Sequence, residues 1–338
     1  MMKTIKHIVS SILFCLLTLT LVVRVGDILV LKEANHYYIM DQEIASIEDH
    51  IQVQIFGSCH SYTSFQAAYF EENYGYTAYD LGNPGELIPV TYLRMKERFE
   101  KDKPEVALVE IWGVNAHETY HSAWENFEYY MPGNVERMPL SLDKIEVIQD
   151  YYSLDLVNEN FAIAKYKDRI MNMELYEADF EYSLEAIQPR AYAYTKVKMQ
   201  MRKENNGFCE MPFYCFKAGY KPYLPIPDYH ELQPVVGDAT LELEPDMVKY
   251  LDKIIDLCEE YDVELIFYRS PYISTANELK KANWLAQYCE SKGILYLDLE
   301  KEMTFDITTD FLDYHHLNEA GAVKATNFLA DYLLERLS

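Results

Sequence analysis

Apolar and polar positions alternate between two periods along this chain, and the switches between them mark its elements. Ile51 to Gly57 (IQVQIFG) is a short β-branched run stopped by glycine, which predicts a buried strand ending at a turn. A helical stretch follows, then Thr77 to Leu81 (TAYDL), a second strand closed by the turn residues Gly82-Asn83-Pro84-Gly85. Ile88 to Phe99 has helical spacing through Tyr92, Met95 and Phe99 and stops at Lys101-Asp102-Lys103-Pro104. Val106 to Trp112 (VALVEIW) predicts a third strand, ending at Gly113-Val114-Asn115. Three strand–helix units in succession imply a parallel sheet buried on both faces.

The alternation breaks after about residue 118 and resumes after about residue 236. Residues 118–236 are rich in Tyr, Met and Glu and read as an insertion. Within them, Asp143 and Glu146 have the spacing of a capping box that opens a helix through Asp150. Beyond the insertion, Met247, Leu251, Ile254 and Cys258 share one face of a helix that begins near Pro245, and Val263 to Tyr268 (VELIFY) predicts a fourth strand. Leu279, Ala282, Leu285 and Cys289 line another helix, which Gly293 closes before a fifth strand, Ile294 to Leu299. A last helix starts at Asn318, with Ala322, Ala325, Leu329 and Leu333 facing inward. The predicted fold is α/β: a flavodoxin-like three-layer αβα sandwich on a five-stranded parallel sheet.

Residues 1–32 form a separate unit. Lys3, Lys6 and His7 precede the apolar run Ile8 to Val23, and Arg24, Asp27 and Lys32 follow it. The run is slightly short of the roughly 20 residues that span a hydrocarbon core, a gap that Thr4, Ile5 and a snorkelling Arg24 close. No small-residue cleavage pattern follows it, so an uncleaved transmembrane anchor is expected rather than a removed signal. Lysines at the N-terminal end put that end in the cytoplasm and residues 33–338 outside. This predicts a single-pass protein of the cell membrane.

Charge narrows the partners. The 338-residue chain carries −25; residues 1–32 hold four Lys/Arg against one Asp, so the remainder is three charges more negative. Such a surface repels nucleic acid and anionic lipid. Five of the six cysteines lie beyond the anchor, an odd number for an exported body. Cys209 and Cys215 are close enough in sequence for a local disulfide, whereas Cys258 and Cys289 fall on apolar helix faces, as core residues or as a bridge.

In open α/β sheets, ligands bind beyond the carboxyl ends of the strands. Those ends carry Gly57-Ser58-Cys59-His60-Ser61, Gly82-Asn83-Pro84-Gly85 and Gly113-Val114-Asn115, and Asp313-Tyr314-His315-His316 precedes the last helix. This order resembles the SGNH (GDSL-like) hydrolase superfamily: a nucleophile block, a glycine block, G-x-N, and D-x-x-H. Residues 51–118 and 237–337 carry the resemblance. It implies a nucleophile at Cys59, oxyanion donors at the Cys59 backbone, Gly82 and Asn115, and a base at His316 oriented by Asp313. The family's nucleophile is a serine, in G-D-S or, in membrane-anchored relatives, G-S-S. Here it is replaced by a thiol, which is competent in acyl transfer. Ser58 and Ser61 are alternative nucleophiles, and loss of catalysis is another outcome of the replacement.

Other candidates are weaker. Arg269 lies near the same edge, where an anionic substrate group or an internal carboxylate can be its partner; Trp112 suits either sugar stacking or core packing. The pairs His315/His316 and His60/His117 lack a zinc-ligand spacing, so neither a metal nor another cofactor is expected. The layout also resembles proteins that assist D-alanylation of teichoic acids or O-acetylation of exopolysaccharides beside a multi-pass membrane acyltransferase. The resemblance therefore implies an acyl-ester transferase or esterase acting on cell-envelope polysaccharide through an acyl-thioester on Cys59. A non-catalytic partner that binds glycan or acyltransferase is one rival, and a thiol-dependent hydrolase of small lipids another.

Overall fold

The computed structural model describes residues 2–29, 50–83, 85–115, 134–135, 138–151, 233–312 and 314–337. The chain divides into two compact units, one of residues 1–38 and 140–195, the other of residues 39–139 and 196–338. In the first unit, helix α1 runs from Met2 to Leu29. Its stretch Thr4–Val22, 19 residues long, is long and apolar enough to cross a membrane, a property that signal sequences share. The second described helix of that unit begins at Leu142, with Ser141 Oγ accepting from the Lys144 N–H at 3.0 Å. Ser141, two residues before the Asp143 at which spacing predicted a capping box, thus caps this first turn.

The other unit contains a five-stranded, all-parallel sheet. In chain order its described elements are β1 (Val53–Phe56), α2 (Cys59–Ser64), α3 (Ala67–Tyr74), β2 (Ala78–Asp80), α4 (Ile88–Lys101), β3 (Val106–Glu110), a 3-10 turn (Trp112–Asn115), α6 (Pro245–Tyr261), β4 (Glu264–Arg269), α7 (Ala276–Lys292), β5 (Leu295–Asp298), the short α8 (Leu299–Glu302) and α9 (Glu319–Leu337); the Leu142–Tyr151 helix of the first unit is α5. The strand order is β2-β1-β3-β4-β5, the doubly wound order with its switch point between β1 and β3. Register aligns Ile55 with Leu108, and Leu108 with Ile266.

Strand side chains alternate between the two faces, and both faces are covered. Val53, Ile55, Val106, Leu108 and Ile266 pack with Phe70 of α3 and Ala325, Leu329 and Leu333 of α9. Phe56 turns the other way, its ring meeting Phe99 of α4 edge-on, and Phe99 in turn meets Tyr261 of α6. Each such large apolar side chain contributes roughly 1.5–3 kcal/mol when buried, which is why strands this short hold their places. The helix ends carry their signals where the sequence puts them. Thr275 and Glu278 form a reciprocal capping box on α7, and Gly293 closes that helix in the left-handed region at φ 71°.

Candidate active site

The turn that carries Cys59 is built by a glycine that no other residue can replace without strain. Gly57 follows β1 with φ +134°, and a Cβ there would lie 2.8 Å from Glu110 Cβ on β3. The chain then reverses into α2. Ser58 is its N-cap, with Oγ accepting from the His60 N–H at 3.2 Å. Cys59 opens the helix, so its own N–H has no intrahelical acceptor.

This arrangement separates the three nucleophile candidates. Ser58 is wholly buried, and its hydroxyl donates to Glu110 Oε2 at 3.0 Å. Ser61 is wholly buried too, donating to Ser58 O at 2.9 Å and Asp80 Oδ1 at 3.0 Å. Cys59 alone of the three is partly exposed, and its Sγ lies 3.2 Å from His316 Nε2. His316 itself is buried in the segment before α9, where the Leu312 N–H donates to its carbonyl at 2.8 Å and a Phe311–Leu317 bridge closes the loop. A thiol at hydrogen-bond distance from an imidazole is the geometry in which the ring can take the thiol proton. Asp313, expected to orient that ring, lies outside the described residues, as do His117, Cys209 and Cys215.

Two further expected residues are engaged in ways that spacing alone did not reveal. The Gly82 N–H donates to Asp80 Oδ1 at 2.8 Å, and a Cβ on Gly82 would collide with Ser61 Oγ. Gly82 therefore serves close packing of the β1 and β2 ends here, and its N–H is turned to Asp80 rather than presented as an oxyanion donor. Arg269 is buried between β4 and β5, donating to Asp298 Oδ1 at 2.8 Å and Ser274 Oγ at 2.7 Å, with its guanidinium over the Tyr272 ring. Its partner is the internal carboxylate. Asn115 remains at the site's margin: its Nδ2 donates to Tyr272 Oη at 3.2 Å.

The aromatic wall is a stack. The His60 ring lies between Trp112 and His316, each with its centroid 5.2 Å away and near-parallel, and Tyr272 tilts against it at 5.0 Å. Trp112 thus packs on the site's own histidine. Burial, reinforced by electrostatic repulsion from His316, His315 and Arg269, holds His60 well below the ordinary imidazole range, so its ring is neutral at neutral pH. Its Nδ1 meets Ser58 Oγ at 3.0 Å and Cys59 Sγ at 3.8 Å, while Nε2 is buried without a hydrogen-bond partner.

Glu110 is the residue that sequence reading passed over. Its carboxyl is wholly buried under the turn, where Oε1 accepts from the Trp112 N–H at 3.0 Å and Oε2 from Ser58. Burial pushes it up to about 7, against the pull of those donors. The available signal was the single carboxylate at the end of an otherwise apolar parallel strand, a place where an unpaired charge is costly. Cys258 and Cys289 are free thiols in the core, each pushed up to about 12 by burial. No protein-family model matches the chain, and no curated protein matches it.

Proposed function

We propose that the protein is an extracytoplasmic acyl-ester transferase or esterase with an SGNH-like site, acting on cell-envelope polysaccharide through an acyl-thioester on Cys59. The observation that carries the reading is the 3.2 Å approach of Cys59 Sγ to His316 Nε2 at the carboxyl edge of the sheet. Supporting it, the two rival hydroxyls, Ser58 and Ser61, are buried and bonded internally. The orientation that puts the body outside rests on Lys3 and Lys6 before the apolar helix.

In this mechanism His316 Nε2 takes the Cys59 proton as sulfur attacks the acyl carbonyl. The carbonyl π pair moves onto oxygen, where the Cys59 N–H and the Asn115 amide are the donors the site has to offer. Collapse expels the donor's alkoxide, which takes the proton from His316 and leaves the thioester. An acceptor hydroxyl then attacks, His316 again holding the proton in transit, and the thiol is restored. Water in place of the hydroxyl gives hydrolysis. His60, neutral and wedged against His316, fixes the base's ring plane rather than supplying the proton.

The test is intact-protein mass after incubation of the full chain with an activated acyl ester. One acyl group on the wild type and none on Cys59→Ala is the expected result. An unmodified wild type would favour the binding-partner reading instead.

A further inference from the structure

We propose that Cys59 Sγ, a ring nitrogen of His60 and a ring nitrogen of His316 form a three-ligand site for a thiophilic divalent cation of the zinc class, whose occupation blocks acyl chemistry at Cys59. The blocking half of this proposal rests on the function proposed above; the cation site does not. One ligand atom from each residue lies within 4.8 Å of the other two.

The spacing is that of a coordination shell. Zinc holds sulfur at about 2.3 Å and imidazole nitrogen at about 2.0–2.1 Å, so a tetrahedral angle puts the two ligand atoms about 3.6 Å apart. Here the two sulfur–nitrogen separations are 3.2 Å to His316 Nε2 and 3.8 Å to His60 Nδ1, and shifts of a few tenths of an ångström admit the ion. The His60 and His316 rings are stacked within 29° of parallel, and both present a nitrogen to the same sulfur. A thiolate with two imidazoles selects a borderline-soft ion over magnesium or calcium, which prefer oxygen.

His60 is nine-tenths buried or more, and its Nε2 has no hydrogen-bond partner. The nitrogen nearest the sulfur is the other one, Nδ1. Ser58 Oγ, which bonds Glu110, also touches His60 Nδ1 at 3.0 Å, so ligation through Nδ1 would turn that nitrogen from the serine to the ion. Three protein ligands leave the fourth position of a tetrahedral ion to solvent.

Sequence reading paired His60 with His117 and His315 with His316 and so found no ligand spacing. The set that converges takes one histidine from each pair and adds the cysteine. It is assembled only when the α9-side loop is brought onto the β1 turn.

The experiment uses the untagged full-length chain in detergent, stripped with a chelator and titrated with zinc or cobalt(II). Binding of one equivalent, a thiolate-to-cobalt charge-transfer absorption, and protection of Cys59 from iodoacetamide by zinc and not by magnesium are expected. Cys59→Ser should remove the charge-transfer band, and His60→Ala should weaken zinc binding at least about tenfold. Cobalt bound with no such band, or zinc bound equally well by Cys59→Ser, overturns the proposal. The chelated protein is assayed in parallel for the acyl adduct. An adduct without sulfur-ligated metal sinks the cation site alone; sulfur-ligated metal without an adduct sinks the catalytic reading and leaves the site standing. An adduct that forms faster with zinc present than without it contradicts the block.

Discussion

Glu110 ends β3 with its carboxyl wholly buried beneath the Cys59 turn, and burial raises it from the ordinary 4.5 to about 7. The folded chain therefore holds this proton more tightly than the unfolded chain does. The stability associated with it is complete below about pH 4.5 and is lost as pH rises through about 7. A rise of that size corresponds to roughly 3 kcal/mol of differential stability, most of which should fall between pH 5 and pH 8. Glu110→Gln is the natural perturbation. Its amide oxygen keeps an acceptor for the Trp112 N–H, and its NH2 meets a Ser58 hydroxyl that must turn from donor to acceptor, but it does not titrate. The assay is urea unfolding of the wild type and the variant in the same detergent at several pH values, taking the difference between the two so that other titrating groups cancel. The variant should gain on the wild type by roughly 2–3 kcal/mol from pH 5 to pH 8. A difference that stays flat across that window, or a wild type that gains on the variant, would refute the reasoning.

Three further outcomes follow from the same contacts. Gly57→Ala forces a Cβ against Glu110 Cβ at a backbone φ of +134° and should cost about 1–3 kcal/mol in unfolding free energy, while Gly75→Ala, with open space around it, should cost less. Iodoacetamide should alkylate Cys59 well before Cys258 and Cys289, which are buried and pushed up to about 12, and His316→Ala should slow only the Cys59 reaction; peptide mapping by mass reads both. Asn115→Ala should lower acyl transfer by roughly a hundredfold or more, the loss expected for one oxyanion donor, with little change in alkylation rate. An unaltered transfer rate would remove Asn115 from the mechanism.

Much of this architecture was legible in local pattern. Each strand announced itself as a β-branched or aromatic run stopped by turn chemistry, and the helix of Ala276–Lys292 carried its closing Gly293. Cys59 and His316 were legible as partners in the order of strand ends, although 257 residues separate them. What escaped was whatever depended on a neighbour from another strand. Arg269 finds Asp298 only because β4 and β5 pair in that register, and neither residue announces the other in sequence. Gly82 reads as a donor until Asp80, two residues back, is seen to turn its carboxylate onto that N–H. Glu110 looks like the exposed end of a strand because its lid, the Gly57–Ser58 turn, belongs to β1. His60 was similarly opaque: its stack joins the β1 turn, the β3 end and the loop before α9.

The central claim is that Cys59 carries an acyl group by means of His316, and the most direct test is the mass of the intact chain quenched in acid seconds after mixing with an activated acyl ester. The account predicts a single acyl increment that maps to the peptide containing Cys59, is released by hydroxylamine as a thioester is, and is absent from Cys59→Ala and His316→Ala. An unmodified wild-type chain, or an increment that persists in Cys59→Ala, would contradict it.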